Sequence, residues 1–240
     1  LNFKRQQLDY HKRNLPDLSL KQEYRYWAIE AQFRVRSTSL GSLLARFLST
    51  PNIPSIHSFV SYPDKTDPQY IVMGNENLTM GRSNTLVAWY WRNFVQDGEK
   101  GKLTRTLSAH LLYSRQQNDV ANFTTYNRKT GVVTIQPVNV SGNWNGKMNI
   151  GFSSPIDIAQ HWWLELLAES SLLRTKTFLG TNEQGVNSQQ VNDNLLSSHS
   201  LNITPRLRLS SFDCSLTYQL TLESNKGTYA SANHTGQWQH

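Results

Sequence analysis

Residues 138–153 alternate strictly between two kinds of position. The even positions hold Val, Trp, Met, Ile, Phe or Gly, whereas the odd positions hold Asn, Ser, Lys or Gly. Because successive side chains leave a β-strand on opposite sides, this pattern predicts a strand with one apolar and one polar face. The pattern lasts for about 15 residues, whereas a strand of a soluble protein is usually about 5 or 6 residues long. An extended segment of that length spans roughly 50 Å.

A strand of this length fits two kinds of all-β protein. Tilted by about 45°, it would rise roughly 35 Å, enough to cross the apolar band of about 25 Å that an outer-membrane barrel presents to lipid. It would equally fit a long strand of a soluble sandwich, whose apolar face packs on a core. The segment alone leaves both alternatives open.

The same alternation predicts seven further strands, at residues 26–36, 43–48, 85–95, 103–114, 162–172, 195–209 and 212–223. The connections are short at 37–41, 96–101, 154–160 and 210–211, and they are long loops at 49–82, 115–137, 177–194 and after 223, with a hairpin arm expected within 115–137. Such alternation places every tight turn at one end of an antiparallel meander and every long loop at the other, as in outer-membrane barrels. We therefore predict an all-β fold, an antiparallel transmembrane β-barrel or an open part of one, with about eight long strands.

The aromatic residues favour the same architecture. Two groups lie near opposite strand ends, one close to the short turns (Phe94, Phe152, Trp162, Trp163 and Phe212) and one toward the long loops (Phe47, Tyr113, Trp144 and Tyr218). Two aromatic bands that flank an aliphatic band are typical of the two lipid-water interfaces of a barrel.

The alternation also assigns side chains to the two faces of the barrel wall. The charged positions are predicted to face a wet lumen, namely Glu30, Arg34, Arg46, Lys147, Glu165, Glu169, Arg206 and Arg208. Apolar positions are predicted to face lipid, namely Val140, Trp144, Met148, Ile150, Leu164, Leu166, Leu216 and Leu220. Asn139 is expected to point into the lumen as well.

Composition excludes several classes of protein. Hydrophobic residues make up 38% of the 240-residue chain, and no uncharged apolar run reaches the roughly 18 residues that a membrane-spanning helix needs. The single Cys214 excludes an intrachain disulfide framework. The net charge of +7 comes from scattered Lys and Arg residues, without an RNA-binding signature or a basic helix, so nucleic acid is not an expected partner.

Catalytic and metal-binding motifs are not found in the sequence. His161 and Glu165 lie four positions apart, which on a strand is about 13 Å and too far for one metal ion. Glu165 and Glu169 have the same spacing, beyond the roughly 5 to 9.5 Å of paired glycosidase acids. We expect both acids to neutralise Arg206 and Arg208 on the next strand. The chain is therefore predicted to be no enzyme and to need no cofactor or metal.

Three short segments resemble those of a known family. Pro54-Ser55-Ile56, then Gly74-Asn75-Glu76-Asn77-Leu78, then Val138-Asn139-Val140-Ser141-Gly142-Asn143-Trp144 are similar to the P-S-I, G-N-P-N-L and V-N-V-x-G-N-W segments of TonB-dependent-receptor-like outer-membrane β-barrels. The segments occur in the family's order and the resemblance extends over most of the chain from Trp27, although Glu76 replaces the usual Pro.

This resemblance implies a receptor barrel in the outer membrane of a Gram-negative cell, with its long loops extracellular. It implies uptake of a nutrient that the sequence does not name, driven in full-length members through contact with a TonB-type energy-transducing complex. We expect residues 1–240 to form an internal part of the barrel domain, without the signal peptide, plug or terminal strand of those members. The partners implied are outer-membrane lipid and a small or oligomeric nutrient.

Two alternatives stay open at this point. A soluble all-β module for glycan binding or adhesion would carry its site on the long loops. A small barrel of eight strands could close on itself, although His240 is not the terminal aromatic residue expected of one. Solubility without detergent distinguishes the first alternative from the membrane barrel.

Overall fold

The computed structural model describes residues 2–11, 19–60, 64–98, 101–183, 186–228 and 234–235. The fold is all-β, and its strands form one open sheet that contains both antiparallel and parallel pairs. None of the helices within the described ranges combines the length and the apolar character that crossing a membrane requires. The predicted all-β class is confirmed.

Eight long strands follow one another in antiparallel order across the sheet, which we call the meander. They are β2 (Ser19–Ser37), β3 (Gly41–Asn52), β6 (Gly81–Gly98), β7 (Gly101–Gln117), β10 (Trp144–Pro155), β11 (Trp162–Glu183), β12 (Val186–Leu209) and β14 (Tyr218–Gly227). β1 (Asn2–His11) pairs antiparallel with β2 at the edge of the sheet. The remaining elements are shorter: α1 (Ile56–Phe59), β4 (Asp64–Asp67), β5 (Tyr70–Val72), β8 (Asp119–Tyr126), β9 (Val133–Val140), β13 (Phe212–Ser215) and β15 (His234–Thr235).

The prediction of one continuous strand over residues 138–153 is wrong. Strand β9 ends at Val140 and β10 begins at Trp144, and between them Gly142 adopts a φ of +102°. That left-handed conformation interrupts the extended chain and is available to glycine without the steric cost that a Cβ brings. Asn143 holds the break in place, since its carbonyl accepts from Gln116 N at 2.8 Å and its Oδ1 accepts from Lys176 N at 2.8 Å.

The predicted long loops contain much regular structure. The connection at 177–194 is a hairpin, because β11 and β12 stay paired up to Glu183 and Val186. Polar residues on both sides of this hairpin hide the strand period, so the sequence suggested a loop. The outer part of β11 also pairs in parallel with β8, whose hairpin partner β9 pairs in parallel with β5. These strands and β4 lie at the long-loop end of the same sheet. The sheet is therefore mixed, whereas the sequence predicted a purely antiparallel order.

A small hydrophobic core lies at the long-loop end of the described structure. The buried hydrophobic side chains there are Phe59, Leu78 and Val140, which are 0%, 5% and 4% exposed. The ring centroid of Tyr24 lies 6.5 Å from that of Phe59, and burial beside it raises the pKa of Tyr24. This small core anchors the long connections against the ends of the meander strands.

The meander itself is a single layer with both faces open. Apolar side chains in the middle of the strands stay exposed, for example Phe33 at 58%, Met148 at 44% and Ile150 at 39%. The chain exposes 16061 Å² in total, whereas a compact monomer of this size exposes about 11,000 Å². A second layer, as in a β-sandwich, is not found among the described residues.

Candidate functional site

The strand register assigns each meander residue to one of two faces. Directly paired residues share a face, so Asn149 lies beside His110 and Glu169, and Glu169 lies beside Ser200. Tracing such pairs across the meander places eight charged residues on the same face, which we call the polar face: Glu30, Arg34, Arg46, Lys147, Glu165, Glu169, Arg206 and Arg208. That this face lines a lumen stays a prediction.

Six of the apolar residues singled out in the sequence lie on the opposite face, the apolar face: Trp144, Met148, Ile150, Leu164, Leu166 and Leu220. Val140 does not belong to this group, whereas Leu216 lies opposite Pro205 and so in the row of Leu164 on the apolar face. Val140 ends β9 and is buried, because the break at Gly142 turns it away from the strand of Trp144. Leu216 lies between β13 and β14, where its amide donates to Pro205 O at 3.2 Å and its side chain is 72% exposed.

The aromatic bands need two corrections. Trp163 lies on the polar face, since it pairs with Arg206, and the Arg208 guanidinium sits 5.1 Å from the centre of its ring. Tyr218 pairs with Ile203 and so shares a row with Leu166 and Phe152 near the short turns. It was expected toward the long loops, but only β13 separates the start of β14 from the short connection at 210–211.

A charged cluster occupies the polar face near the short turns. Arg206 Nη2 lies 2.5 Å from Asp213 Oδ2, whereas Arg206 Nη1 lies 3.9 Å from Glu165 Oε1. Arg208 Nε also reaches Asp213, at 3.8 Å. The expected pairing of Glu165 with Arg206 is present, but Asp213 is the main partner of both arginines. The tight turn at 210–211 could have revealed this, because it places Asp213 directly opposite Arg208.

The other expected neutralising acid, Glu169, makes a different contact. Its Oε2 accepts from Ser200 Oγ at 3.4 Å instead of binding an arginine. Glu169 lines a shallow groove of about 300 Å³ on the polar face, together with Lys147, Asn149, Ser171, Ser198 and Ser200. Hydroxyl, amide, ammonium and carboxylate groups of this kind can hydrogen-bond a polar ligand from several directions.

A second groove of about 290 Å³ lies closer to the short turns on the same face. Its polar lining comes from Thr106, Ser108, Ser153, Glu165, Asn202, Thr204 and Thr217. The Asn202 side-chain oxygen is buried without a hydrogen-bond partner. Both grooves are lined by Ser and Asn side chains, and the second also by Thr. The polar face therefore offers more hydrogen-bonding groups than charged groups.

An asparagine network joins the long connections to the strand ends. Asn139 Oδ1 accepts from Thr79 N at 2.8 Å, and Asn139 Nδ2 donates to Thr79 O at 3.0 Å and to Asn118 O at 3.1 Å. Asn118 in turn donates from its side chain to Met80 O at 3.2 Å and from its amide to Ser141 Oγ at 2.9 Å. The Asn139 side chain thus bridges backbone groups of the long connections, and its orientation toward a lumen stays a prediction.

The three segments that carry the family resemblance meet at this junction. Asn75 Nδ2 donates to Pro137 O at 2.9 Å, and the Asn75 amide donates to Ser58 O at 2.7 Å in α1. The Gly74 amide donates to Val60 O at 3.0 Å, and a Cβ on Gly74 would lie only 2.2 Å from that oxygen. The segments therefore hold neighbouring connections together, which gives them a structural role.

The turn at the short connection 156–161 contains a carboxylate cap. Asp157 Oδ1 accepts from Trp162 N at 2.7 Å, and this bond lowers the pKa of Asp157 below its ordinary value. His161 Nδ1 lies 3.6 Å from Asp157 Oδ2. The described residues hold no cluster of His, Cys, Asp and Glu that could bind a metal ion.

Comparison with known protein families, with curated proteins and with solved structures finds no match to this chain.

Proposed function

We propose that the meander forms the wall of an outer-membrane β-barrel whose polar face takes part in the uptake of a polar nutrient. The observation that carries this proposal is the uncovered apolar face of a single-layer sheet. Its side chains include Phe33, Met148 and Ile150, all exposed. Contiguous apolar patches on soluble monomers seldom exceed a few hundred Å², and larger ones mark contact with a membrane or a partner.

The dimensions and the arrangement of the strands support a membrane location. Eight strands of 10 to 24 residues run antiparallel, with alternating faces. In a barrel every backbone group of the wall pairs with a neighbouring strand, which removes the need for water in the hydrocarbon region. Tyr113 and Trp144 lie toward the long-loop end of the apolar face, and Phe94, Phe152 and Trp162 lie toward its short-turn end, as at the two interfaces of a bilayer.

The polar face supports a substrate that is recognised mainly by hydrogen bonds. Its acids and bases are largely paired, with Arg46 Nη2 2.7 Å from Glu30 Oε1 and Arg206 bound to Asp213. Its grooves are lined by hydroxyl and amide groups. A small neutral or zwitterionic polar nutrient fits this surface better than a strongly charged one. Energy coupling through a TonB-type complex rests on the three resembling segments alone.

The first test measures whether the chain needs an apolar phase. The full chain is refolded in plain buffer and in zwitterionic micelles, and its β-content and sedimentation are compared. We expect β-rich, monodisperse protein in micelles and aggregation in buffer, because the apolar face has no cover of its own. A soluble, monomeric and β-rich chain in plain buffer would overturn the proposal in favour of a soluble all-β module for glycan binding or adhesion.

A further inference from the structure

Cationic side chains form a row on the apolar face at its long-loop end. Pairing across five strands aligns Arg115, Trp144, Arg174, Leu195 and Lys226. With strands about 4.8 Å apart, roughly 10 Å separates Arg115 from Arg174 and Arg174 from Lys226. Lys176 lies on the same face, two residues beyond Arg174 along β11. We call Arg115, Arg174, Lys176 and Lys226 the basic row.

Acidic side chains are fewer on the apolar face than on the polar face. Among the described residues of the meander strands, Glu23 and Asp193 lie on the apolar face, whereas the polar face holds Glu30, Glu165, Glu169, Asp213 and Glu223. Asp193 is bound by Arg174, with 2.9 Å from Nε to Oδ1 and 2.6 Å from Nη2 to Oδ2.

The pairing of Arg174 with Asp193 leaves three cations of the row with no described carboxylate within 4.0 Å: Arg115, Lys176 and Lys226. Arg115 and Lys226 are exposed, and Lys176 is half-buried. Lys176 lies directly opposite Asp193, and Arg82, Arg92 and Arg105 are further cations on the same face. Arg115 and Lys226 are therefore the two cations of the row that have no described acid opposite them. A cation in surroundings poor in water requires an anion, which must here come from outside the chain.

The depth of the row points to the headgroup region of a bilayer. Trp144 lies within the row, and its ring centroid lies 6.2 Å from that of Tyr113. Both residues belong to the aromatic group toward the long loops. From there toward the short turns, β10 carries Met148 and Ile150 on this face, and β7 carries Leu111 and Ala109. Tyrosine and tryptophan bands mark the lipid-water interface, so the cations lie where lipid phosphates lie.

We propose that the basic row binds the phosphate groups of an anionic glycolipid in the outer leaflet, with its acyl chains on the aliphatic side chains below. This inference rests on the proposed function, since it requires the apolar face to contact lipid. Guanidinium groups bind phosphate through paired, charge-assisted hydrogen bonds, and ammonium groups add a compact positive charge. Arg115 and Lys226 lie at the two ends of the site, and Lys176 lies on its long-loop side.

The experiment measures how much phosphorylated glycolipid the chain retains. Wild-type chain is inserted into phosphatidylcholine vesicles with and without bis-phosphorylated lipid A, extracted in zwitterionic detergent, and the bound lipid A is counted by mass spectrometry. The test variant is Arg115→Gln with Lys226→Gln. The matched control is Arg36→Gln with Lys129→Gln, which removes the same charges from the polar face and from a loop turn.

We expect the test variant to retain at least about fivefold less lipid A than wild type, and the control variant to match wild type. The retained lipid should also fall as salt is raised. Equal loss in both variants, or no loss in either, would overturn the basic row as the site. If the double variant does not insert, Arg115→Gln alone is compared in the same way.

The two proposals fail differently in this experiment. A wild-type chain that inserts into phosphatidylcholine vesicles but retains no lipid A contradicts the glycolipid site and leaves the barrel proposal intact. A wild-type chain that does not insert into vesicles of either composition contradicts the barrel proposal itself, and the glycolipid site with it.

Discussion

Single residues decide how the long connections attach to the strands. Asn139 makes hydrogen bonds to the backbone of Thr79 and of Asn118, so one side chain joins three segments that are distant in sequence. An amide is well suited to this position because it donates and accepts at once. A leucine or an alanine there would leave the amide of Thr79 without its acceptor.

We predict that Asn139→Ala lowers the free energy of unfolding by about 1 kcal/mol, because three hydrogen bonds at a partly exposed junction are lost. Thermal unfolding in micelles measures the change. Asn122→Ala serves as the control, since Asn122 lies on the neighbouring strand β8 with an exposed side chain, and its effect should stay within about 0.5 kcal/mol. Equal effects of the two substitutions would contradict the bridging role of Asn139.

The Asp157 cap makes the turn between β10 and β11 sensitive to acid. The pKa of Asp157 is lowered, chiefly by the hydrogen bond from Trp162 N, so the folded turn favours the carboxylate. Its contribution is complete above the ordinary aspartate range and is lost as the pH falls below about 4, through the folded pKa. We predict that Asp157→Ala lowers the melting temperature at pH 7 and that the two proteins converge near pH 2.

Melting curves of wild type and Asp157→Ala between pH 7 and pH 2 check this prediction. Glu76→Ala is a suitable control, because it also removes an exposed carboxylate from a turn. The hydrogen bond of that turn runs from the Asn77 amide to the Asn75 side chain, so the substitution leaves it in place. A difference between wild type and Asp157→Ala that stays constant over the whole pH range would mean that the carboxylate charge is not the stabilising feature.

At the scale of elements, strand pairing extends into segments that the sequence indicates as loops. The pairing of β11 with β12 continues beyond the strands predicted from the sequence, from Lys176 with Asp193 up to Glu183 with Val186. The hydrophobic period is absent there because both sides of the hairpin carry polar residues. Hydrogen bonds between strands do not require an apolar face, so the pairing persists where the alternation ends.

Hydrogen exchange tests this extension of β11 and β12. We predict slow exchange at the paired positions Thr177 to Gly180 and Gln190 to Asn192, with protection at least about tenfold above that of the exposed turn residues Arg128 to Thr130. Exchange measured by mass spectrometry in micelles resolves these peptides. Equally fast exchange in the hairpin and in the turn would contradict the observed pairing.

At the scale of the whole molecule, the decisive property is the difference between the two faces. Ile150 and Asn149 are neighbours in β10 that lie on the apolar and the polar face. We predict that Ile150→Arg lowers the folding stability in vesicles by about 2 to 4 kcal/mol, because a charge on the lipid face near the bilayer centre is costly. Asn149→Arg is the matched control and should cost less than about 1 kcal/mol, since its side chain enters the polar face.

Urea titration of the two variants in phosphatidylcholine vesicles provides the comparison. Equal stability of Ile150→Arg and Asn149→Arg would mean that both faces meet the same environment, and it would remove the main support for a barrel wall. A smaller loss for Ile150→Arg than for Asn149→Arg would assign the faces the other way round.

The sequence by itself determined the strands of the meander and the two faces they present. A period of two is a local property, and the side chains of Glu169 or Ile150 follow from it once the strand is recognised. The charged residues of the polar face could therefore be named in advance, as could the short connections near residues 37–41 and 210–211. The resembling segments could be found, but their mutual contacts could not.

Only the tertiary structure decided the features that depend on contacts between distant segments. The break at Gly142 hides within an unbroken alternation, because glycine fits either an apolar strand position or a left-handed bend. The parallel pairing of β8 with β11 and the burial of Val140 and Phe59 require the long connections to fold onto one another. Cross-strand neighbours such as Arg115, Trp144 and Arg174 come together through register, which no single segment contains.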